Sequence, residues 1–492
     1  MQEDNATAAA LDTKTLDRRL VRGMAWTFAG KWGSQAFVWG ASLLIARLLS
    51  PADYGLVNMA TVFLGLITTL TEFGLGASVV ALKLSSYQIR QVNTVSLFFG
   101  LFGCMATLVA AVPLAQFFRT PALSPVVMSL SSIFLITAAR TVPAALLQKE
   151  MRYKLLSFLE LVQSLTQVLT TLLCAWLGFR YWSLVMGSMA SSLVITALTI
   201  FWRRAGFAWP RPSSVGQALR VSWQVLVMQL SWQAYSNADF MVAGRVLGAT
   251  ELGFYNMAWD LSCSPIQKIA SLIYRVTPGV FSAIQTDRAA LRRYCRGLSE
   301  SVALIMFPVT FGLGAVASDL IPLALGPKWT AAIVPLQILV AYSAFRALGT
   351  MLPQILVVTG DSSFSMWNSV RSLIVLPVCF YLASRWGTAG IAATWIVVAP
   401  LMSLPLYHRV FKRLEMPAGM YLSAILPPLC GAAVMAGCVL LVKWVLPPSV
   451  LVVRLIVEVA VGAAVYTGVM FLIAREAIEK YWQLFLQFRK KA

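Results

Sequence analysis

The sequence predicts an all-α polytopic membrane protein with about 14 transmembrane helices, in two pseudo-symmetric six-helix lobes around a central cavity plus two extra C-terminal helices. Three observations predict this fold. Of the 492 residues, 59% are hydrophobic and only 12% are charged, against roughly a quarter charged in soluble domains. The apolar residues fall in runs of roughly 20, the length that spans a bilayer. One fifteen-residue stretch also recurs in closely similar form 198 positions later.

The apolar runs locate the helices to within several residues. The first run follows a polar stretch and is too long for the apolar region of a signal peptide, so we expect it to stay in the mature protein. We expect the helices at 23–46, 55–82, 92–118, 124–147, 155–177, 181–202, 221–244, 252–274, 297–317, 330–357, 366–384, 388–407, 418–442 and 455–474.

The basic residues predict the orientation of the chain in the membrane. With this helix assignment, the segments on the side of the N-terminus contain 27 Lys and Arg, if Arg371 near the end of its helix is counted with them, and the loops on the other side contain 8. Cytoplasmic loops carry such an excess of basic residues. We therefore expect both termini in the cytoplasm, and the net charge of +20 reflects topology and anionic lipid rather than binding of nucleic acid.

The repeated stretch indicates an internal duplication. Residues 46–60 read ARLLSPADYGLVNMA and residues 244–258 read GRVLGATELGFYNMA, 198 positions apart. Upstream identities keep the same offset, as a duplicated unit requires. Six predicted helices separate the two copies, so the two halves have the same orientation and are parallel repeats about an axis along the membrane normal.

The duplication and the polar linker near the middle of the chain predict the domain boundaries. Helices 13 and 14 have no counterpart in the repeat. We expect an N-terminal cytoplasmic tail at 1–22, a first lobe at 23–205, a cytoplasmic linker at 206–217, a second lobe at 218–412, two extra helices at 413–474 and a basic cytoplasmic tail at 475–492.

Polar side chains form a stripe at equivalent positions of the two lobes. Lys31 and Gln35 are one helical turn apart on helix 1, and Gln229, Gln233 and Asn237 continue the spacing on helix 7. The stripe could make hydrogen bonds within each lobe. Alternatively it lines an aqueous cavity between the lobes, and the duplication favours this interpretation because a two-fold pair of lobes brings equivalent faces together.

Two arginines lie in the predicted bilayer, and each is in the fourth helix of its lobe. Arg140 and Arg346 would present guanidinium groups to the cavity, and a guanidinium binds phosphate bidentately and stays charged. The alternative is a pair of structural salt bridges, Arg140 with Glu72 or Glu160 and Arg346 with Asp239. Charges at this depth are costly, so each needs a wet cavity or a partner.

Three carboxylates are candidates for coupling an ion to transport: Asp239, Glu72 and Glu160. Asp239, in YSNADFMVAGR, is the clearest lone carboxylate. It would act as a protonation switch or neutralise an arginine. We expect no cofactor, but a coupling proton or Na⁺.

Other chemistry has no support in the sequence. The seven cysteines lie mostly in apolar segments without a CxxC pair, and the single His408 lies in a basic loop. We therefore expect no catalytic residue and no metal site. The P-loop pattern for ATP is also missing.

Four segments together resemble a known family: ARLLSPADYGLVNMA (46–60), EFGLGASVV (72–80), TVPAALLQKEMRY (141–153) and ADFMVAGRVLGATELGFYNMA (238–258). They resemble the Wzx-type polysaccharide flippases of the MOP superfamily, especially the branch that exports colanic-acid-like exopolysaccharide units. The resemblance spans residues 18–415. It implies two six-helix lobes, alternating access and location in a bacterial inner membrane. It also implies Arg140 and Arg346, with Lys31, as ligands of a pyrophosphate.

The implied substrate is an undecaprenyl-pyrophosphate-linked oligosaccharide, moved from the cytoplasmic to the periplasmic leaflet for exopolysaccharide, capsule or O-antigen assembly. The implied partners are membrane lipids, a polysaccharide polymerase and export machinery. A multidrug/cation antiporter of the same superfamily is an alternative, although the basic residues argue against a cation cavity. A membrane oligosaccharide polymerase is another alternative, although it usually needs a large outer loop.

Overall fold

The structure is a computed structural model, and its described part is a bundle of helices without β-strands. Ten of its helical segments are long and apolar enough to cross a membrane. The protein is therefore a multi-pass membrane protein. The described residues are 38–72, 75–81, 84–210, 230, 233–263, 281, 284, 287–349, 351–446 and 451–473.

Helices follow one another with short connections, so that consecutive long helices run in opposite directions. In chain order they are α1 (Val38–Leu48), α2 (Pro51–Glu72), α3 (Leu75–Ala81), α4 (Ser86–Phe117), α5 (Leu123–Lys149), α6 (Tyr153–Trp176), α7 (Trp182–Trp202), α8 (Ala238–Val246), α9 (249–263), α10 (Arg288–Ala324), α11 (Ile333–Gly349), α12 (Leu352–Val358), α13 (Ser362–Ala383), α14 (Gly387–Leu414), α15 (Ala418–Val445) and α16 (Leu451–Ile473). A 3₁₀ turn, Pro327–Ala332, precedes α11.

The fold class is confirmed, but several predicted helix bounds are wrong. Helix 9 was expected at 297–317, whereas α10 covers Arg288–Ala324. The helix expected at 221–244 has a turn at Asn237 within its described part, which begins a new helix there. The Nδ2 of Asn237 donates to the carbonyl of Gln233 at 2.9 Å, and such local bonding competes with a continuous helix. The count of 14 helices stays a prediction.

The two ends of the bundle are held by different contacts. We call the end with the connections after α1 and α8 the motif end, because both copies of the repeated stretch lie there. At the opposite end, Glu150 pairs with Arg203 at 2.7 Å and Asp361 pairs with Arg409 at 2.6 Å. The non-helical residues 204–210 pack there against α4, and the Gln91 amide donates to the Trp209 carbonyl at 2.9 Å.

The last two helices pack on α10. The hydroxyl of Tyr466 on α16 donates to the Leu304 carbonyl at 2.8 Å. Gly431 on α15 lies against Tyr466 and Met470, where an added Cβ would approach within 3.2 Å of the ring. Close approach through small residues is typical of helix packing in lipid. The division of the chain into two lobes and an appended pair stays a prediction from the repeat.

Candidate functional site

The repeated stretch brings α2 and α9 into contact at the motif end. A Cβ on Gly55 would lie 1.7 Å from the Ala249 carbonyl oxygen, and one on Gly253 would lie 1.9 Å from the Pro51 carbonyl oxygen. Any other residue would therefore collide with the backbone of the other copy. The two glycines occupy the same position of the motif. Each copy of the motif therefore packs against the other through its glycine.

One turn further on, equivalent asparagines join the same two helices. Asn58 Nδ2 donates to Asn256 Oδ1 at 2.5 Å, and the two residues are 198 positions apart. This separation equals the offset of the repeat. Asn256 Nδ2 in turn donates to Asp260 Oδ2 at 3.3 Å. Within a bilayer, side-chain hydrogen bonds of this kind hold helices together.

The arginine of the first motif copy caps a helix of the second half of the chain. Arg47 Nε donates to the Ala324 carbonyl at 2.7 Å, and its Nη2 donates to the Leu323 carbonyl. These are terminal carbonyls of α10, where a cation is favoured by the helix dipole. In the reverse direction, Lys328 Nζ donates to the Arg47 and Leu49 carbonyls, each at 2.6 Å.

An aromatic side chain fills the space beside this cap. Trp329 is fully buried, and its Nε1 donates to the Ala46 carbonyl at 2.9 Å. Tyr54 and Phe254 meet the indole edge-on, with ring centroids 5.5 and 6.1 Å away. The aromatic burial and the hydrogen bonds together join the two halves of the chain at the motif end.

The arginine of the second copy occupies the corresponding place on the other side. The guanidinium carbon of Arg245 lies 5.3 Å from the ring centroid of Phe117. Phe117 ends α4 as Ala324 ends α10, and the predicted topology makes these the third helices of the two lobes. Arg47 and Arg245 therefore make related contacts, a hydrogen-bonded cap in one half and a cation–π contact in the other.

Asp239 is completely buried inside the second half of the chain. Its Oδ2 accepts hydrogen bonds from the Tyr255 hydroxyl at 2.7 Å and from Trp395 Nε1 at 2.9 Å. Its Oδ1 has no hydrogen-bond partner among the described residues. A buried carboxylate with one unsatisfied oxygen is suited to receive a proton or a cation.

Aromatic rings pack around the indole that donates to Asp239. Trp395 stacks on Tyr342 with centroids 4.8 Å apart, and its centroid is 5.6 Å from that of Trp259. The guanidinium carbon of Arg346 lies 5.3 Å from the Trp259 ring centroid. The predicted arginine and carboxylate are thus connected through one aromatic cluster.

The first predicted arginine has a different environment. Arg140 is half-buried on α5, and its Nη1 lies 3.4 Å from the Oε1 of Gln163 on α6. Glu160, one turn earlier on α6, is exposed. Whether Arg140 and Arg346 line one cavity stays a prediction.

Of the polar stripe, Gln233 and Asn237 are in the described part of the chain. Gln233 packs against α2, since a Cβ on Gly65 would lie 2.5 Å from its Nε2. This amide therefore faces the other half of the chain. Lys31, Gln35 and Gln229 lie outside the described residues, as does the side chain of Glu72.

Asp319, Lys443 and Arg454 lie one or two residues outside the helix bounds expected from the sequence (297–317, 418–442 and 455–474), and those bounds are wrong here. All three belong to helices, and they meet where α10, α15 and α16 pack together. Lys443 Nζ lies 3.6 Å from Asp319 Oδ1, and Arg454 Nε lies 3.0 Å from Asp319 Oδ2. Paired charges can continue a helix beyond the point where an apolar run ends.

The sequence reasoning also overlooked Glu458, which is fully buried and lies 3.1 Å from Arg454 Nε. The signal was available, because Arg454 and Glu458 are one helical turn apart on a predicted membrane helix. Asp260, which accepts from Asn256, was overlooked in the same way.

The fold and these contacts define a class: a multi-span helical membrane protein whose halves meet at one end. The family described as polysaccharide biosynthesis protein matches residues 44–334. The chain belongs to this family.

Individual relatives agree with that assignment. The lipopolysaccharide biosynthesis protein WzxC of Escherichia coli K12 is 25% identical over 379 residues, covering 75% of this chain and 76% of its own. The succinoglycan biosynthesis transport protein ExoT of Rhizobium meliloti is 22% identical over 485 residues, covering 95% and 96%. Among solved structures, the lipid II flippase MurJ in an inward closed conformation has a TM-score of 0.69 at 12% identity, covering 90% of this chain and 98% of its own.

Proposed function

We propose that this protein is a flippase that moves undecaprenyl-pyrophosphate-linked oligosaccharide repeat units from the cytoplasmic to the periplasmic leaflet, for assembly of exopolysaccharide, capsule or O-antigen. Membership of the polysaccharide biosynthesis family supports this function. Two relatives are named for the synthesis or transport of cell-surface polysaccharides.

The observation that carries the mechanism is the pairing of the repeats at the motif end. Gly55 with Gly253 and Asn58 with Asn256 close this end across the two halves of the chain. The glycine and asparagine contact is small, and opening this end would also withdraw the buried Trp329 from the Ala46 carbonyl and from Tyr54. A substrate that binds the open and closed arrangements with different affinities would shift this equilibrium, as alternating access requires.

Arg140 and Arg346 are the proposed ligands of the pyrophosphate, with Lys31, Gln35, Gln229, Gln233 and Asn237 as further cavity residues. A guanidinium gives fixed, charge-assisted hydrogen bonds to phosphate oxygens. The guanidinium carbon of Arg346 lies 5.3 Å from the Trp259 ring centroid, so this cation contacts the aromatic cluster that also binds Asp239.

The energy for uphill cycling comes, in this proposal, from a coupling proton or Na⁺ rather than from a cofactor. Asp239 is the preferred coupling site, with Glu72 and Glu160 as alternatives. The buried Oδ1 of Asp239 that lacks a partner among the described residues supports this choice. Loading a cation there would change the charge beside the aromatic cluster that contacts Arg346.

The proposed location is the bacterial inner membrane, with both termini and the end opposite the motif in the cytoplasm. The basic residues of α10, Arg288, Arg292, Arg293 and Arg296, support this orientation because they extend from that opposite end. A polysaccharide polymerase and export machinery are the proposed partners, since flipped units need to be polymerised and exported.

The alternative is an ion-coupled multidrug/cation antiporter of the same superfamily, and the family match gives it no better support. A membrane oligosaccharide polymerase is a further alternative. The described loops at the motif end are short, which leaves little room there for polymerase chemistry.

Gene deletion with analysis of lipid-linked intermediates tests the proposal. Repeat units should accumulate on the cytoplasmic leaflet, and purified protein in vesicles should make them accessible to a glycosidase added outside. Repeat units that reach the periplasmic leaflet normally in the deletion strain would refute the proposal. A change in drug resistance with normal flipping would instead favour the antiporter.

A further inference from the structure

Four charged residues form a buried cluster where the last two helices pack on α10. Asp319 comes from α10, Lys443 from the last turn of α15, and Arg454 and Glu458 from the first two turns of α16. The relative exposures are 6% for Asp319, 9% for Arg454 and 0% for Glu458. We call these residues the α16 charge cluster. It lies near the motif end and away from Asp239.

The two carboxyl groups of the cluster converge on one nitrogen. Arg454 Nε lies 3.0 Å from Asp319 Oδ2 and 3.1 Å from Glu458 Oε1. The single N–H of this nitrogen donates to Glu458 Oε1, which leaves the buried Asp319 Oδ2 without a hydrogen-bond donor among the described residues. Crowding of like charges at this distance favours one shared proton.

No other described group takes the place of this proton. Lys443 Nζ lies 3.6 Å from Asp319 Oδ1, and it also donates to the Ala315 carbonyl at 3.0 Å and to the Ser318 hydroxyl. It therefore serves Asp319 and the α10 backbone. Glu458 Oε2 has no hydrogen-bond partner among the described residues. A fully buried carboxyl oxygen without a donor is costly as a carboxylate and satisfied as an acid.

We propose that Asp319 and Glu458 form a proton-binding site of this transporter, which takes up one proton from the aqueous phase at the motif end and changes the charge of the α16 cluster from neutral to +1. This inference rests on the proposed transport function for its role, but not for the binding of the proton. The charged groups that face the pair from α10, α15 and α16 are Lys443 and Arg454, and both are positive in either state.

The location of the site connects the appended helices to the contact between the halves. Asp319 lies five residues before Ala324, whose carbonyl accepts from Arg47. A proton on the pair weakens the hold of Arg454 and Lys443 on α10, because a neutral acid attracts a cation less than a carboxylate does. Protonation of the Asp319–Glu458 pair therefore affects the end of α10 that Arg47 caps.

Infrared difference spectroscopy on the full-length protein in lipid nanodiscs, without substrate, tests proton binding directly. Wild-type protein should show a protonated carboxyl band at a pH where exposed carboxyl groups are ionised, and this band should be lost as the pH rises further. The band should shift when aspartate or glutamate is isotopically labelled, which needs no variant. Glu458→Gln should abolish this band, whereas Asp239→Asn should leave it. The matched control is Glu300→Gln on the same helix as Asp319, about 28 Å away along α10, which should leave the band intact.

Transport measurements assign the role. In vesicles, the wild-type flipping rate should change with the pH on the motif side, and Glu458→Gln should lose at least most of this dependence. Absence of a protonated carboxyl band at every pH at which the wild-type protein stays folded would overturn the proposal, as would a band that neither label shifts. A change in melting temperature of Glu458→Gln with no such band would mean that the cluster only docks α16. A correct band in a protein that does not flip would refute the proposed function and not the site.

Discussion

Gly55 and Gly253 face each other at the motif end, where a Cβ on Gly55 would lie 3.0 Å from the backbone nitrogen of Gly253. Each glycine belongs to one copy of the repeated stretch. The close approach of α2 and α9 therefore depends on two positions that a single duplication has fixed. Substitution of either glycine is therefore a direct test of the role of this contact in the proposed transport cycle.

Gly55→Ala and Gly253→Ala should each hold the motif end open. The added methyl would overlap a carbonyl oxygen, and overpacking of this kind costs about 1–3 kcal/mol. A cysteine placed at the α2–α9 contact should be labelled faster from the motif side, and flipping should fall. The control is Gly437→Ala on α15, where an added Cβ meets nothing within 4 Å. Equal labelling in all three variants would contradict the proposed closure.

The asparagine pair should contribute measurably to the same contact. Asn58→Ala leaves Asn256 Oδ1 without its donor, which costs about 1–3 kcal/mol when the group stays buried. A double-mutant cycle with Asn256→Ala should give a coupling energy above about 0.5 kcal/mol in thermal unfolding. Strictly additive effects would show that the 2.5 Å hydrogen bond contributes nothing to holding the helices together.

The fold and this contact could be anticipated from sequence to different degrees. Apolar runs identify the helices, because the bilayer imposes their length and composition. The 198-residue offset pointed to paired halves, and the Asn58–Asn256 bond has that separation. Which face of each copy meets the other depends on packing that periodicity cannot specify, so the glycine contact was not foreseen.

The charged residues were harder to predict than the helices. Apolar runs end at the first strong charge, and for this reason Asp319, Lys443 and Arg454 were expected outside the membrane helices. Their mutual pairing, which lets the helices continue, connects segments more than 100 residues apart. The aromatic cluster around Asp239 was also hard to predict, because Trp395 comes from a helix 156 residues later in the chain.

Arg140→Ala and Arg346→Ala should each abolish export while the protein still inserts. Each Arg→Lys variant should restore only part of it, because an ammonium group loses the planar fork that binds two phosphate oxygens. Export is measured as surface polysaccharide at matched protein level. Arg371→Ala, whose native side chain donates to the Met402 carbonyl at 2.8 Å, serves as a control. Normal export in either alanine variant would remove that arginine from the binding site.

Asp239→Asn should keep substrate binding but lose transport and its response to collapse of the ion gradient. The amide is nearly isosteric, yet it cannot take up a proton or balance a cation. Tyr255→Phe removes the 2.7 Å hydrogen bond to Oδ2 and the 3.1 Å hydrogen bond that the hydroxyl accepts from Trp395 Nε1, but it keeps the carboxylate. This variant should therefore keep the response to the gradient at a reduced rate. Transport by Asp239→Asn with unchanged dependence on the gradient would mean that the carboxylate is only a charge partner.

Asp361, at the start of α13, should make stability depend on acid pH. The hydrogen bond from Arg409, followed by that from Arg413, holds the pKa of this carboxyl below its usual value. Its contribution is therefore present above the unfolded pKa of about 3.9 and is lost as the pH falls through the lower folded pKa. Asp361→Asn should melt earlier at neutral pH and show a flatter acid limb in a fluorescence melt.

A matched substitution at Asp287 distinguishes the loss of the Asp361 ion pairs from the loss of any carboxylate at this end of the bundle. Asp287 caps α10 by accepting from the Ala290 amide at 2.9 Å, and asparagine can make the same cap. Asp287→Asn should therefore keep the cap and melt close to the wild type at neutral pH. The same acid limb in the Asp361→Asn variant and the wild type would show that the two arginines do not stabilise this end through Asp361.

The 37-residue helix α10 is about 55 Å long, which is nearly twice the thickness of the hydrocarbon core. Its motif end is gripped by Arg47 and by the α16 charge cluster, whereas its other end extends past the membrane face. A helix that is held at one end can tilt about that end. A change in tilt of ~20°, comparable to the usual tilt of membrane helices, would move Arg288 by roughly 20 Å. Small rearrangements at one surface of the membrane are thereby amplified into a large sweep at the other.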